Sequence, residues 1–423
     1  MKFQILGINY APELISTAVY TTDMAEYLSR AGHEVNVVTA QPYFPAWEVM
    51  EGWPKYRYKR EQRRGIDVVH CPLYVPRKPT GKSRLLHYAT FTLAAFPPML
   101  WRALIRRPDV VFVVAPSLVS AVAGWVSARL SGAKLWVHIQ DFEVEAGFAT
   151  GAFSPDSRIG RAARAFEGWM LRRCDRVSSI SGPMVRKLVA KGVDPTRTFE
   201  LRNWANLDHV DVVTGANPAR DRLGITTRYV ALYSGNVAAK QGIEIIPQTA
   251  RLLRDRDDLT FLICGQGPLL DTLKAQAADL PNVRFAPLQP IEHFSETLGL
   301  ADVHLLPQIE GVSDLLLPSK LTNMLASGRP VIATVTGDTA LAAEVEGAGV
   351  ITPPGDAPAL AAALTELLQD PERHARLSRQ ARSRALDRWN KPAILDRFLA
   401  AAKALISAPA AALSTQTNLD DPS

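Results

Sequence analysis

The chain has 423 residues, enough for two or three domains of ordinary size. With 47% hydrophobic and 21% charged residues it has the balance of a packed globular protein, which argues against a disordered chain. A net charge of +6 suits phosphate-bearing or anionic partners without naming one. The three scattered cysteines, Cys71, Cys174 and Cys264, argue against a disulfide framework or a zinc site and for a reducing compartment.

The first residues predict a strand over 3–7 rather than a signal peptide, and no run of about 18 uninterrupted apolar residues predicts a membrane-spanning helix. Helical spacing over 20–31 ends at Gly32, and 34–39 predicts a second strand. The continuous apolar run 109–115 has the character of a buried parallel strand. A helix follows to residue 130, stopped at Gly132, and then a strand over 134–138. This alternation predicts an α/β fold with a doubly wound parallel sheet. It restarts after about residue 206, with strands over 229–234, 259–264, 283–286, 303–306 and 331–334, a last one beginning at Val350 and Ile351, and a helix over 242–253. Residues 372–403 form a long basic helical stretch, and the Ala-, Ser-, Thr- and Pro-rich end of the chain is expected to be disordered. Ligands of such sheets bind beyond the carboxyl ends of the strands, so two facing sheets predict a site in the cleft between them.

The loops at those ends carry the candidate chemistry. Gly235 and Asn236 close the first strand of the second half, and Lys240-Gln241-Gly242 opens the next helix. A glycine, free helix-start amides and a lysine together suit a diphosphate; the alternative is an ordinary turn with a solvated lysine. Ser319 is a candidate N-cap of a helix over 321–327, with Lys320 in its first turn and Asn323 one turn on. A cation there opposes the helix dipole, which an anionic ligand would explain; the alternative is a capped helix whose lysine points to water. Gly265 and Gly267 either admit a ligand close to the backbone or form a tight turn. In the first half the loop 7–13 lacks the G-x-G-x-x-G pattern, which argues against NAD. His138 and Asp141 end a strand and are placed for catalysis; the alternative is a structural histidine. The D-x-D spacing of Asp255 and Asp257 falls at the opposite sheet edge and is set aside as a metal site.

Residues 85–104 are rich in large apolar side chains, interrupted by Pro97-Pro98, with cations before them and Arg102, Arg106 and Arg107 at the end. The segment is either a buried helix pair or a surface for a bilayer interface over 83–107. Without interleaved aromatics on a strand it is not a nucleic-acid patch, and no nucleic-acid partner is expected.

Several ordered motifs carry a resemblance: Gly-Ile-Asn-Tyr-Ala-Pro-Glu at 7–13, Ala-Gly-His-Glu-Val at 31–35, Thr-Ala-Gln-Pro-Tyr-Phe-Pro at 39–45, His-Ile-Gln-Asp at 138–141, Ser-Gly-Asn at 234–236, Lys-Gln-Gly at 240–242 and Leu-Pro-Ser-Lys-Leu-Thr-Asn at 317–323. Over about residues 1–400 the chain resembles exopolysaccharide glycosyltransferases of the colanic-acid type, in the retaining glycosyltransferase family four. The resemblance implies a GT-B fold: an acceptor-binding Rossmann-like domain over 1–205, a nucleotide-sugar-binding one over 206–380, a helix over 381–405 crossing back to the first, and a tail over 406–423. It implies a hexosyltransferase that uses no cofactor or essential metal and takes a GDP- or UDP-linked sugar, fucose among them. The acceptor would be a lipid-linked oligosaccharide at the cytoplasmic face of the plasma membrane. Lys240 would contact the donor diphosphate and His138 the transferred sugar, while Glu13 and Ser16 would belong to the substrate-binding loop. The chain departs from the family at Asn236, where an arginine is usual, at Asn323, where a glutamate holds the ribose, and at Ser16-Thr17-Ala18, in place of a glycine pair. The arginine's phosphate role would pass to Lys320. The rival readings are a nucleotide-sugar epimerase of the same fold, which needs no acceptor, and a non-catalytic membrane scaffold, which binds no donor.

Overall fold

Val110–Ala115, six apolar residues in a row, forms a fully buried strand, as its composition predicts. The computed structural model describes residues 1–13, 17–77, 79–149, 154–205, 207, 210–238, 241–309, 319–337 and 339–407, with the side chains of 82, 146, 149 and 319 left aside. The chain divides into two compact units: Met1–Asn203 together with the chain from Leu395, and Trp204–Ile394.

The first unit contains β1 (Lys2–Gly7), α1 (Thr17–Arg30), β2 (Glu34–Ala40), β3 (Lys59–Arg63), β4 (Ile66–Cys71), α2 (Gly81–Arg106), β5 (Val110–Ala115), α3 (Ala121–Ser131), β6 (Lys134–Ile139), α4 (Glu143–Ala149), α5 (Arg158–Leu171), β7 (Arg176–Ser179), α6 (Gly182–Ala190) and β8 (Thr198–Glu200). Its sheet runs β3-β4-β2-β1-β5-β6-β7-β8. All neighbours are parallel except β3, which pairs antiparallel with β4, so the sheet is not purely parallel as expected. β3 is an edge strand of charged and polar residues, Lys-Arg-Glu-Gln-Arg, and carries no apolar signal. One sheet face sets Phe3, Phe112 and Trp136 against Phe398 near the chain's end, with ring centroids 6.1, 5.2 and 4.8 Å apart. On the other, Gln4 donates from Nε2 to the Met99 carbonyl of α2 at 3.0 Å.

α2 runs unbroken for 26 residues through Pro97 and Pro98, where the sequence suggested an interruption. Proline has no N–H, so Pro98 leaves the carbonyl of Ala94 without its helical donor. The Tyr58 hydroxyl donates to that carbonyl at 2.8 Å and supplies the missing bond.

The second unit contains α7 (Ala219–Arg222), β9 (Tyr229–Asn236), α8 (Ile245–Leu252), β10 (Leu259–Gln266), α9 (Leu270–Gln276), β11 (Val283–Ala286), α10 (Phe294–Gly299), β12 (Val303–Pro307), α11 (Ser319–Ala326), β13 (Val331–Thr334), α12 (Ala340–Val345), β14 (Gly349–Thr352), α13 (Ala357–Gln369) and α14 (Pro371–Trp389). The order is β11-β10-β9-β12-β13-β14, all parallel. Successive strands step outward from β9 to β11, then return to the other side at β12, which makes the β9/β12 border the topological switch point. The expected basic helical stretch is two helices: α14 stops at Asn390, whose extended backbone breaks it, and α15 (Lys391–Ser407) follows.

Candidate functional site

β9 and β12 pair only at Ala231–Val303 and Leu232–His304, so their carboxyl-terminal halves part and open a crevice at the switch point. The end of β9 carries Gly235 at φ +142°, a conformation that favours glycine. The space that a Gly235 side chain would take is filled by Lys320 of α11, whose Cε would lie 2.8 Å from a Cβ there. Lys320 Nζ donates to the Tyr233 hydroxyl at 2.7 Å and to Gln241 Oε1 at 2.9 Å, and lies 4.4 Å from the centre of the Tyr233 ring. Tyr233 in turn donates to the carbonyl of Asn236 at 2.5 Å. Burial raises the Tyr233 pKa, so the phenol stays neutral. The lysine ammonium is thereby fixed beside the strand-end glycine, in the first turn of α11.

The other glycines of the cluster have a local explanation. Gly265 stands opposite Gly235 in the register, and a Cβ there would come 2.3 Å from the Gly235 carbonyl oxygen. A Cβ on Gly267, at φ +152°, would come 2.3 Å from the Val237 carbonyl oxygen. Both let β9 and β10 continue side by side, so the expected ligand approach is not needed to account for them. Gly242, at φ +63°, packs against the backbone of Gln308 and seats the Gln241 turn at the end of β12. Asn236 is exposed at the tip, and Asn323 is half-buried one turn along α11. Lys240 and Ser16 lie outside the described residues, as does the side chain of Ser319.

The first unit places its candidates differently. Glu13, expected to contact substrate, is a structural anchor. It is buried, with Oε1 accepting from the amides of Tyr43 and Phe44 at 2.7 and 2.8 Å and Oε2 from Asn9 Nδ2 at 2.8 Å. Desolvation raises its pKa against those three donors. Its carboxylate ties the loop after β1 to the loop after β2, with three of its acceptor positions taken inside the protein. At the start of the turn after β5, the Ser117 and Leu118 amides are taken by the Glu143 carboxylate, the latter at 2.7 Å. An internal anion thus takes up the free amides at the start of that turn.

His138 ends β6 only 3% exposed. Gln140 Nε2 meets its Nε2 at 3.0 Å, and its Nδ1 meets the Ser178 hydroxyl at 2.9 Å. With Gln140 donating, the one ring proton is assigned to Nδ1, towards Ser178, which also accepts from Trp136 Nε1 at 2.8 Å. Burial pushes the His138 pKa down to about 3, so the ring is neutral. Gln140 and Asn203 exchange two amide hydrogen bonds, both 2.9 Å. Both imidazole nitrogens are therefore engaged inside the protein. The exposed group at this strand end is Asp141, whose carboxyl is raised by desolvation.

The remaining sequence readings resolve simply. Asp258, next to the D-x-D spacing, binds the Arg256 guanidinium through two 2.8 Å bonds. Among the described residues no group of three or more His, Cys, Asp or Glu is placed to hold a metal. Arg102, grouped above with the cations of α2, is instead buried on the Val37 carbonyl at 2.8 Å and Asp67 at 2.9 Å. Tyr233 and Gln241, the partners of Lys320, escaped the sequence reading, as did Ser178 and Asn203 around His138. No signal in the chain links Tyr233 to a lysine 87 residues away.

The family description "Glycosyl transferase 4-like domain" matches residues 17–204, and "Glycosyl transferases group 1" matches residues 217–384. A putative colanic acid biosynthesis glycosyl transferase of Escherichia coli K12 is 38% identical over 94% of this chain and 99% of its own. Among solved structures, a sucrose-phosphate synthase from Thermosynechococcus elongatus superposes with a TM-score of 0.67 at 17% identity, covering 96% of this chain and 99% of that one. Anabaena Alr3699/HepE, in complex with UDP and glucose, gives 0.62 at 16% identity over 95% and 99% of the two chains. These structural likenesses show the fold, GT-B.

Proposed function

The chain belongs to glycosyltransferase family four, and on that premise we propose that it moves a sugar from a nucleoside diphosphate to a lipid-linked oligosaccharide of exopolysaccharide assembly, at the inner face of the plasma membrane. The observation that carries the reading is Lys320, held by Tyr233 and Gln241 against Gly235 at the β9/β12 crevice. That is where an open α/β sheet binds a ligand, and a fixed ammonium there suits a diphosphate. The colanic acid relative supports the pathway class. The relative crystallised with UDP and glucose supports a nucleotide donor. The donor proposed is GDP-fucose, with UDP-sugars as the competing class.

In this reaction the acceptor hydroxyl oxygen bonds to the anomeric carbon as the bond from that carbon to the diphosphate oxygen breaks. The bonding pair goes to the leaving β-phosphate, and the hydroxyl proton follows it on the same face, giving retention. Lys320 and Lys240 neutralise the growing phosphate charge, and no essential metal is required. Asp141, at the strand end with its carboxyl pKa raised by desolvation, aligns the acceptor hydroxyl. His138 stays neutral and acts as a positioning residue, orienting the strand end through Gln140 and Ser178.

A thermal-shift screen against GDP, UDP, ADP and dTDP tests the reading. The matching product at a hundredfold its Kd should add about 2.7 kcal/mol to the unit that binds it. A flat response to all four overturns it, and conversion of the donor alone, without acceptor, would identify an epimerase.

A further inference from the structure

α2 has two faces of opposite character. Phe91, Ala95, Met99 and Ala103 are buried against the first unit's sheet. On the other side Leu86, Leu93, Trp101, Leu104 and Ile105 face solvent, with Leu93 70% and Trp101 61% exposed. Leu86, Leu93, Pro97 and Leu104 follow helical spacing, so the apolar residues form one stripe about 27 Å long at 1.5 Å per residue. Single exposed apolar residues are ordinary on a folded surface, but a continuous stripe is not.

The charge carried by the helix itself has one sign. The 26 residues of α2 contain no Asp or Glu. Its exposed cations, Arg84 before the stripe and Arg106 and Arg107 after it, stand at both ends, with Arg106 also 3.7 Å from Glu34. The Tyr58 bond to the Ala94 carbonyl brings a second basic segment alongside the helix: Lys55, Tyr56, Arg57 and Tyr58, all exposed, Tyr56 by 88%. Apolar side chains flanked by arginine, lysine and tyrosine match an anionic lipid interface, with the cations at phosphates and the rings at headgroup depth. No described helix is long and apolar enough to cross a membrane, so the helix would lie in the interface plane.

We propose that the outer face of α2, together with the Lys55–Tyr58 loop tied to it through Tyr58, docks on an anionic bilayer, with α2 parallel to the surface. This deepens the membrane-linked reading above and rests on it for its biological sense, though vesicle binding can be measured without any transfer reaction. It commits to lipid because the stripe is apolar along its length while the net charge beside it is positive.

The test is flotation of the full chain with vesicles of phosphatidylglycerol and phosphatidylcholine, against phosphatidylcholine alone. The wild type should float with the anionic vesicles and be released by salt. The double variant Leu93→Glu/Trp101→Glu should lose at least about tenfold in vesicle partitioning, since two side chains leave the interface and two charges enter it. Its melting temperature, and its shift with the nucleotide found in the screen, should match the wild type. Flotation of the variant equal to wild type overturns the proposal, as does a wild type that ignores anionic vesicles. A wild-type dimer that Leu93→Glu/Trp101→Glu converts to monomer overturns it too, because a second copy would then cover the stripe. A normal nucleotide shift without vesicle binding defeats the docking proposal alone; a flat nucleotide screen with normal flotation defeats the transferase reading alone.

Discussion

Replacing Gly235 by alanine should damage the site through Lys320 rather than through the fold. The new Cβ would meet Lys320 Cε at 2.8 Å and Cδ and Nζ at 3.1 Å. These atoms end a flexible arm, so the arm swings away and gives up its bonds to Tyr233 and Gln241. The backbone at φ +142° adds strain of about 1–3 kcal/mol in stability. In catalysis, a displaced charge-stabilising group costs about 10²–10³ in rate, or about 2.7–4 kcal/mol. Lys320→Ala should cause a loss of the same order. Once the lysine is short, the alanine at 235 has nothing to push, and Gly235→Ala should then cost no more than about threefold further. The coupling energy in the double-mutant cycle should thus be about 2–3 kcal/mol. The assay is steady-state kcat/KM for the nucleotide sugar, with thermal melts as the control for folding. Losses that add to within about 0.5 kcal/mol would show that Gly235 does not act through Lys320. A Lys320→Ala enzyme of near-normal rate would remove the lysine from the mechanism.

Other outcomes follow from the same geometry. Glu13→Ala strands the buried Tyr43 and Phe44 amides and should cost about 2–6 kcal/mol of stability, whereas Glu13→Gln keeps an acceptor for both and should retain most activity; abolished turnover in a well-folded Glu13→Gln would make Glu13 chemical after all. His304, buried in the second unit beside Ser327, is pushed down to about 3 by desolvation. Below the unfolded histidine pKa of about 6.5 only the unfolded chain gains its proton, so stability is lost as pH falls from there towards 3, and His304→Asn should shrink the loss between pH 7 and pH 5 by about 2 kcal/mol, read from denaturant melts. Transfer should be unaffected by EDTA and by Asp255→Ala/Asp257→Ala; a rate restored only by a divalent ion would contradict the metal-free mechanism.

The sheets were legible where burial writes itself into composition. Val110–Ala115 and Val331–Thr334 lie between other strands and are buried along their length, apolar but for the closing Thr334. β3 was not, because an edge strand of Lys, Arg, Glu and Gln resembles a solvated turn. β7 and β8, of four and three residues, are too short to show a period. α2 was misjudged at Pro97-Pro98 because the bond that compensates for Pro98 comes from Tyr58, 36 residues before Ala94. In the site, the glycine and lysine motifs stood out by residue type and position. Their roles depended on partners distant in sequence. Glu13 looked available until its carboxylate met amides 30 and 31 residues on, and Lys320 gained its fixed pose from Tyr233 and Gln241. Gly265 and Gly267 showed the converse, a ligand-like motif that the approach of two strands explains.

A crystal structure of the protein with its nucleoside diphosphate bound bears most directly on the central claim. The account predicts the β-phosphate over the β9/β12 crevice, one of its oxygens about 3 Å from Lys320 Nζ. Phosphates seated away from that crevice, beyond hydrogen-bond reach of Lys320 Nζ, would contradict it.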